Sequence, residues 1–152
     1  MTDYEVIIAQ AEALADGTVW NITLLANISA LLYEALEKVN WAGFYLLRDG
    51  ELMLGPFQGK PACTRIPVGK GVCGTAVKEE RILRVEDVHA FSGHIACDAD
   101  SESEIVLPIH SGGQIIGVLD IDSPLLGRFS QEDRDGLAVC AGIIEQACDW
   151  RI

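Results

Sequence analysis

The chain has 152 residues, enough for one domain that buries a core without staples. It is 49% hydrophobic, but its apolar runs are broken and none is long enough to span a bilayer, which fits a soluble globular protein. Asp plus Glu number 23 against 11 Lys plus Arg, a net charge of -12, so no basic footprint exists for nucleic acid or an anionic membrane; a cationic or zwitterionic ligand suits it better, but the total charge by itself reads as keeping a cytosolic protein soluble. The start, MTDYEVIIAQAEALADG, has neither a basic n-region with a cleavage site nor an Arg-rich transit pattern, and a cytoplasmic location is expected.

In chain order, residues 5–15 read as a short helix. VWNITLLANISALLYEALEKVN follows, with Leu24, Leu25, Ile28, Leu31, Leu32 and Leu36 at the spacing of one helix face. WAGFYLLRDGELMLGPF has apolar runs on either side of Arg48-Asp49-Gly50, the pattern of a hairpin with an Asp-Gly turn. Beyond an irregular stretch, GVCGTAVKEE reads as a short helix and RILRVED as a strand, followed by a long loop. SEIVLPIHSGGQIIGVLDIDS reads as a second hairpin turning at Ser111-Gly112-Gly113, and Ser130 is placed to cap a final helix. Hairpins with flanking helices describe an α+β domain over 1–152, with an antiparallel sheet flanked by N- and C-terminal helices.

The five cysteines form two groups. Cys140 and Cys148 fall on the apolar face of the final helix and read as small core residues. Cys63, Cys73 and Cys97 sit among glycines, prolines and acids at spacings that fit no zinc pattern, and no metal is expected. In a reducing compartment such thiols suit transient redox chemistry better than a static framework. Cys73 lies in GKGVCG, a match to G-x-G-x-x-G. The preceding segment is a poor strand and the following helix is short, so a dinucleotide site is not expected. The glycines instead turn the chain into a helix start, where Cys73 is either a thiolate favoured by the helix N-terminus or a small buried side chain.

In GVLDIDS, strand alternation puts Leu119 and Ile121 on one face and Val118, Asp120 and Asp122 on the other. The two carboxylates are then about 7 Å apart along the strand. If the irregular segment from 57 to 104 covers that face, the result is a pocket with acids on its floor, suited to an ammonium group. Glu104, at the start of the preceding strand, reaches the same pocket if the hairpin is in register. Trp41 and Tyr45, four apart, share a strand face and serve either as core or as an aromatic wall. His89 and His94, on the loop before Cys97, read as exposed or hydrogen-bonded side chains.

NWAGFYLL, the frame GPFQGKPAC followed by IP and GVCG, the Cys97 loop and LDIDS together resemble the free methionine-(R)-sulfoxide reductases, single-domain members of the GAF superfamily, over nearly the whole chain. The resemblance implies a single GAF-like domain, reduction of free methionine-R-sulfoxide to methionine, thioredoxin as reductant, no cofactor, and a homodimer. It implies that Cys97 attacks the sulfoxide and that Cys63 is the main resolving cysteine, with Cys73 able to form a disulfide with the attacking one. It also implies that Glu104, Asp120 and Asp122 form an acidic pocket, with Trp41 and Tyr45 as its aromatic wall.

The chemistry of such a site requires a proton at the sulfoxide oxygen, and clustered carboxyls raise one another's pKa so that one stays neutral. The expected division is Glu104 at the sulfoxide and Asp120 with Asp122 at the amino group. The alternatives are a non-catalytic GAF ligand sensor and a thiol redox sensor without a substrate.

Overall fold

Asp49 and Gly50 have φ values of 52° and 81°, the left-handed backbone that a two-residue hairpin turn demands, and Gly112 and Gly113 repeat it at 59° and 80°. These turns close the two hairpins that make the centre of the sheet. A computed structural model describes residues 2–17, 20–94 and 99–150. The first hairpin pairs β1 (Trp41–Arg48) with β2 (Glu51–Gly59), and the second pairs β5 (Ser103–Ser111) with β6 (Gln114–Ser123). Ser111 pairs with Gln114, so the second turn is the Gly-Gly pair alone. β1 and β6 join the hairpins, and β3 (Arg65–Pro67) and β4 (Leu83–Val85) form the edges of a six-stranded antiparallel sheet ordered β3-β2-β1-β6-β5-β4.

The sheet is covered on both faces. On one, Ala42, Phe44, Ile105, Leu107, Leu119 and Ile121 form the main core with α1 (Tyr4–Ala15), α2 (Asn21–Ala35) and α4 (Gln131–Ala147). α2 is shorter than its apolar spacing predicts: Leu36 is already extended at the helix end, and Lys38 takes φ 59°, yet Leu36 still packs into the core. Ser130 caps α4 as expected, through a reciprocal capping box with Asp133. Cys140 is fully buried and Cys148 packs at the margin of the same core, in agreement with their reading as apolar side chains.

On the other face, Trp41, Tyr45, Val106 and Val118 meet Val72, Cys73 and Ala76 of α3 (Gly71–Glu79). The described parts of the connection between β2 and β5, α3 above all, therefore cover this face, as the alternation of GVLDIDS requires. β3 is the element that PACTRIPV conceals. A three-residue edge strand tolerates Pro67 at its end because an edge leaves one side of the ladder unpaired. A 3-10 turn at Val88–Ala90 is likewise not foreseen. Among the described residues no helix is long and apolar enough to cross a membrane.

Candidate active site

Strand register builds the site. Trp41 lies opposite Asp122, and Asp122 lies opposite Glu104, giving one row of three side chains across β1, β6 and β5. In the next row Gly43 faces Asp120, which faces Val106; in the third, Tyr45 faces Val118. Alternation sends all of these side chains to the face covered by α3. Trp41 and Tyr45 are each 2% exposed, Asp120 5% and Glu104 8%. Trp41 stacks on Phe57 at 5.1 Å between centroids and on Tyr45 at 5.9 Å, so the aromatic wall is a continuous stack.

Cys73, in the first turn of α3, faces this floor, with its thiol directed to Glu104 Oε2 at 3.9 Å. The glycine motif around it has a steric explanation rather than a phosphate-binding one. Gly69 and Gly71 have φ values of 90° and 61°, and a Cβ on Gly74 would stand 2.4 Å from the Pro67 carbonyl oxygen. These glycines allow α3 to start abruptly and to lie against β3.

The cavity between floor and cover has a volume of about 40 Å³ and is lined by Trp41, Tyr45, Cys73, Glu104, Asp120 and Asp122, with Pro61, Ala62, His94 and Ser101 also in its lining. The sequence-predicted acids, aromatic wall and Cys73 are thus brought together. Cys63 stands at the side of the cover, where the Tyr45 hydroxyl donates to its carbonyl at 2.8 Å, and it is disulfide-bonded. Cys73 is free, and Cys97 lies outside the described residues. His94 and Ser101 were not foreseen as lining. His94 sits edge-on to His89 at 6.0 Å, and burial followed by the His89 charge lowers its pKa. Its only sequence signal is its nearness to Cys97.

The electrostatics separate the acids. Burial, then the Asp120 and Asp122 charges and hydrogen bonds to them, push the Glu104 carboxyl well above the ordinary carboxylate range. Burial raises Asp120 also, but hydrogen bonds from Glu104, Cys73 and Asp122 oppose that rise. Of the two, Glu104 is the carboxyl whose charge its surroundings oppose throughout, whereas the neighbours of Asp120 partly support its charge. Asp120 Oδ1 is buried with no hydrogen-bond partner among the described residues, an acceptor turned toward the cavity that a cationic ligand would satisfy.

The thiolate alternative for Cys73 is corrected by its surroundings. Complete burial, then Asp120, Glu104 and Asp122, raise its pKa well above the usual thiol value, and the helix N-terminus does not outweigh them. Cys73, Glu104 and Asp120 offer ligand atoms within 4.8 Å of one another. Burial and the neighbouring acids raise the pKa of Cys73 and Glu104, so a metal ion there would have to displace protons from both.

Comparison with known proteins places this fold and site. A sequence model of the GAF domain matches residues 21–148. The chain is 61% identical over 134 residues to the free methionine-R-sulfoxide reductase of Escherichia coli, an alignment covering 88% of this chain and 81% of that protein. It superposes on fRMsr of Staphylococcus aureus in complex with substrate with a TM-score of 0.94 and 52% identity, covering 98% and 97% of the two chains. For the free methionine-R-sulfoxide reductase of Neisseria meningitidis, also in complex with its substrate, the TM-score is 0.90 and the identity 46%, over 95% and 87%. The chain belongs to the free methionine-R-sulfoxide reductases of the GAF domain family.

Proposed function

We propose that this protein reduces free L-methionine-(R)-sulfoxide to L-methionine and is recycled by thioredoxin. The observation that carries the reading is the buried acidic floor beside an aromatic stack: Asp120 offers an unpartnered acceptor to an ammonium, and Trp41 and Tyr45 offer rings to the apolar end of the ligand. The 61% identity to the free methionine-R-sulfoxide reductase of Escherichia coli supports it.

In this reading Asp120 and Asp122 hold the amino group while neutral Glu104 stands ready to protonate the sulfoxide oxygen. Cys97 attacks the sulfoxide sulfur. The sulfur–oxygen bond of the substrate breaks, methionine leaves with its sulfur reduced by two electrons, and the oxygen remains on Cys97 as a sulfenic acid. Cys63 then attacks that sulfur; an S–S bond forms, the S–O bond breaks, and the hydroxyl leaves with the Cys63 proton as water. A thioredoxin dithiol reduces the disulfide. Cys63 as resolving residue is supported by its being disulfide-bonded while Cys73 is free and its thiol held protonated by burial and the neighbouring acids.

The test is thioredoxin-coupled NADPH consumption with the free R epimer, the free S epimer and a peptide-bound sulfoxide, on wild type and Cys97→Ser. Turnover of the free R epimer alone, abolished in the variant, is the expected result. Absence of turnover with all three would replace this reading by a ligand or redox sensor.

A further inference from the structure

The stretch from Lys60 to Cys63 joins β2 to β3 as irregular chain, and it carries both the roof of the cavity and one partner of the disulfide. Among the described residues, side chains of the cavity wall donate two hydrogen bonds that tie it to the sheet. The Trp41 indole Nε1 donates to the Lys60 carbonyl at 3.1 Å, and the Tyr45 hydroxyl donates to the Cys63 carbonyl at 2.8 Å. Outside, the Lys60 ammonium pairs with Asp100 at 2.8 Å, tying the roof to the loop that follows Cys97.

The inner pair and the outer pair differ in what they can hold. Lys60 and Asp100 are about two-thirds exposed, so that ion pair is screened and weak. Trp41 stacks on both Tyr45 and Phe57, and Trp41 and Tyr45 are each buried, so their rings have little freedom left to lose. A hydrogen bond to the carbonyl of Cys63 acts on the residue that carries the sulfur, because fixing that peptide plane limits the directions open to the Cα–Cβ bond. Burial and the acids of the floor keep the Tyr45 phenol protonated, so it remains a donor throughout the working pH range.

We propose that Trp41 and Tyr45 are positioning residues for disulfide closure: beyond walling the cavity, they hold the Lys60–Cys63 segment through its main-chain carbonyls so that the Cys63 thiol is presented to the oxidised cysteine. This rests on the reductase reading above. The step itself needs no further oxidant: the thiol of Cys63 displaces hydroxyl from the sulfenic acid, which leaves as water. Placement is what a segment without regular structure lacks, and misplacement of a nucleophile is heavily penalised in rate. The same two side chains thereby serve both half-reactions, lining the substrate in the first and aligning the resolving thiol in the second.

The test is a single-turnover experiment on reduced wild type, Tyr45→Phe and Trp41→Phe, following methionine formation and disulfide formation separately and trapping sulfenic acid with dimedone. Tyr45→Phe keeps the stacked ring and removes only the donor. The ratio of the closure rate to the reduction rate is expected to fall about five- to tenfold, near the worth of one hydrogen bond, with a dimedone adduct accumulating in the variant and not in wild type. Redox titration against glutathione is expected to show a comparable fall in the equilibrium constant for the disulfide, a readout independent of substrate binding. An unchanged ratio, or an equal slowing of both steps with an unchanged redox equilibrium, would overturn the proposal. Failure of wild type to form methionine would instead overturn the reductase reading, and the proposal with it.

Discussion

Replacing Glu104 by Gln separates chemistry from binding and from stability in one variant. Glutamine keeps the size and hydrogen-bonding reach of a neutral carboxyl but has no proton to transfer. If Glu104 is the acid at the sulfoxide oxygen, kcat should fall about 10²-fold or more, the usual worth of a positioned general acid, with a much smaller change in KM. Stability should move the other way. Because burial and the Asp120 and Asp122 charges raise the folded-state pKa, the native protein keeps a proton that the unfolded chain releases. Native stability therefore falls as pH rises from the ordinary carboxylate value to the raised one, and stays reduced above it. Glu104→Gln removes that loss, so the variant should be more stable than wild type at pH 8, by a margin that vanishes near pH 4. Steady-state kinetics with free methionine-R-sulfoxide, together with thermal unfolding of the reduced protein at both pH values, tests both arms. In wild type, kcat/KM should fall as pH rises through the raised Glu104 value, a limb that the variant lacks. An unchanged kcat with a raised KM, or no gain in stability at pH 8, would refute the reasoning and assign Glu104 to the ammonium group.

Asp120→Asn is expected to raise KM about 10- to 100-fold, the worth of a buried charged hydrogen bond, with a smaller effect on kcat; a kcat loss at constant KM would reverse the roles of Asp120 and Glu104. Far from the site, Asp133 anchors the start of α4, accepting from Tyr4 Oη at 2.6 Å, Arg128 at 2.9 Å and Ser130 N at 2.8 Å. Burial works against its charge, but these partners hold its pKa below the usual range. Asp133→Asn should destabilise the fold by about 2–3 kcal/mol at neutral pH, read as a fall in Tm. Because the depressed pKa makes that contribution disappear as pH falls through it, wild type and variant should converge in acid.

The elements made by short-range rules were legible in the sequence: the Asp49-Gly50 and Gly112-Gly113 turns need left-handed backbone, Ser130 and Asp133 cap one another, and the α2 face repeats at helical spacing. The side of the sheet taken by Asp120 and Asp122 was legible too, because strand alternation has a period of two and Leu119 and Ile121 had to enter the main core. β3 was not, since three residues ending in proline carry no pattern and exist as a strand only because β2 pairs with them. Register alone decided that Glu104 stands opposite Asp122, which converts three acids scattered along two strands into one cluster that raises the Glu104 pKa. Burial, together with the acids that packing brings beside it, decided that the pKa of Cys73 is raised despite its place at a helix start. The contacts of Trp41 and Tyr45 with the carbonyls of Lys60 and Cys63 lie 19 and 18 residues apart in the chain and involve main-chain oxygens that every residue possesses, so no choice of side chain announces them. Local conformation follows from local side chains, whereas protonation state and long-range hydrogen bonding depend on what tertiary packing brings near and shuts away from water.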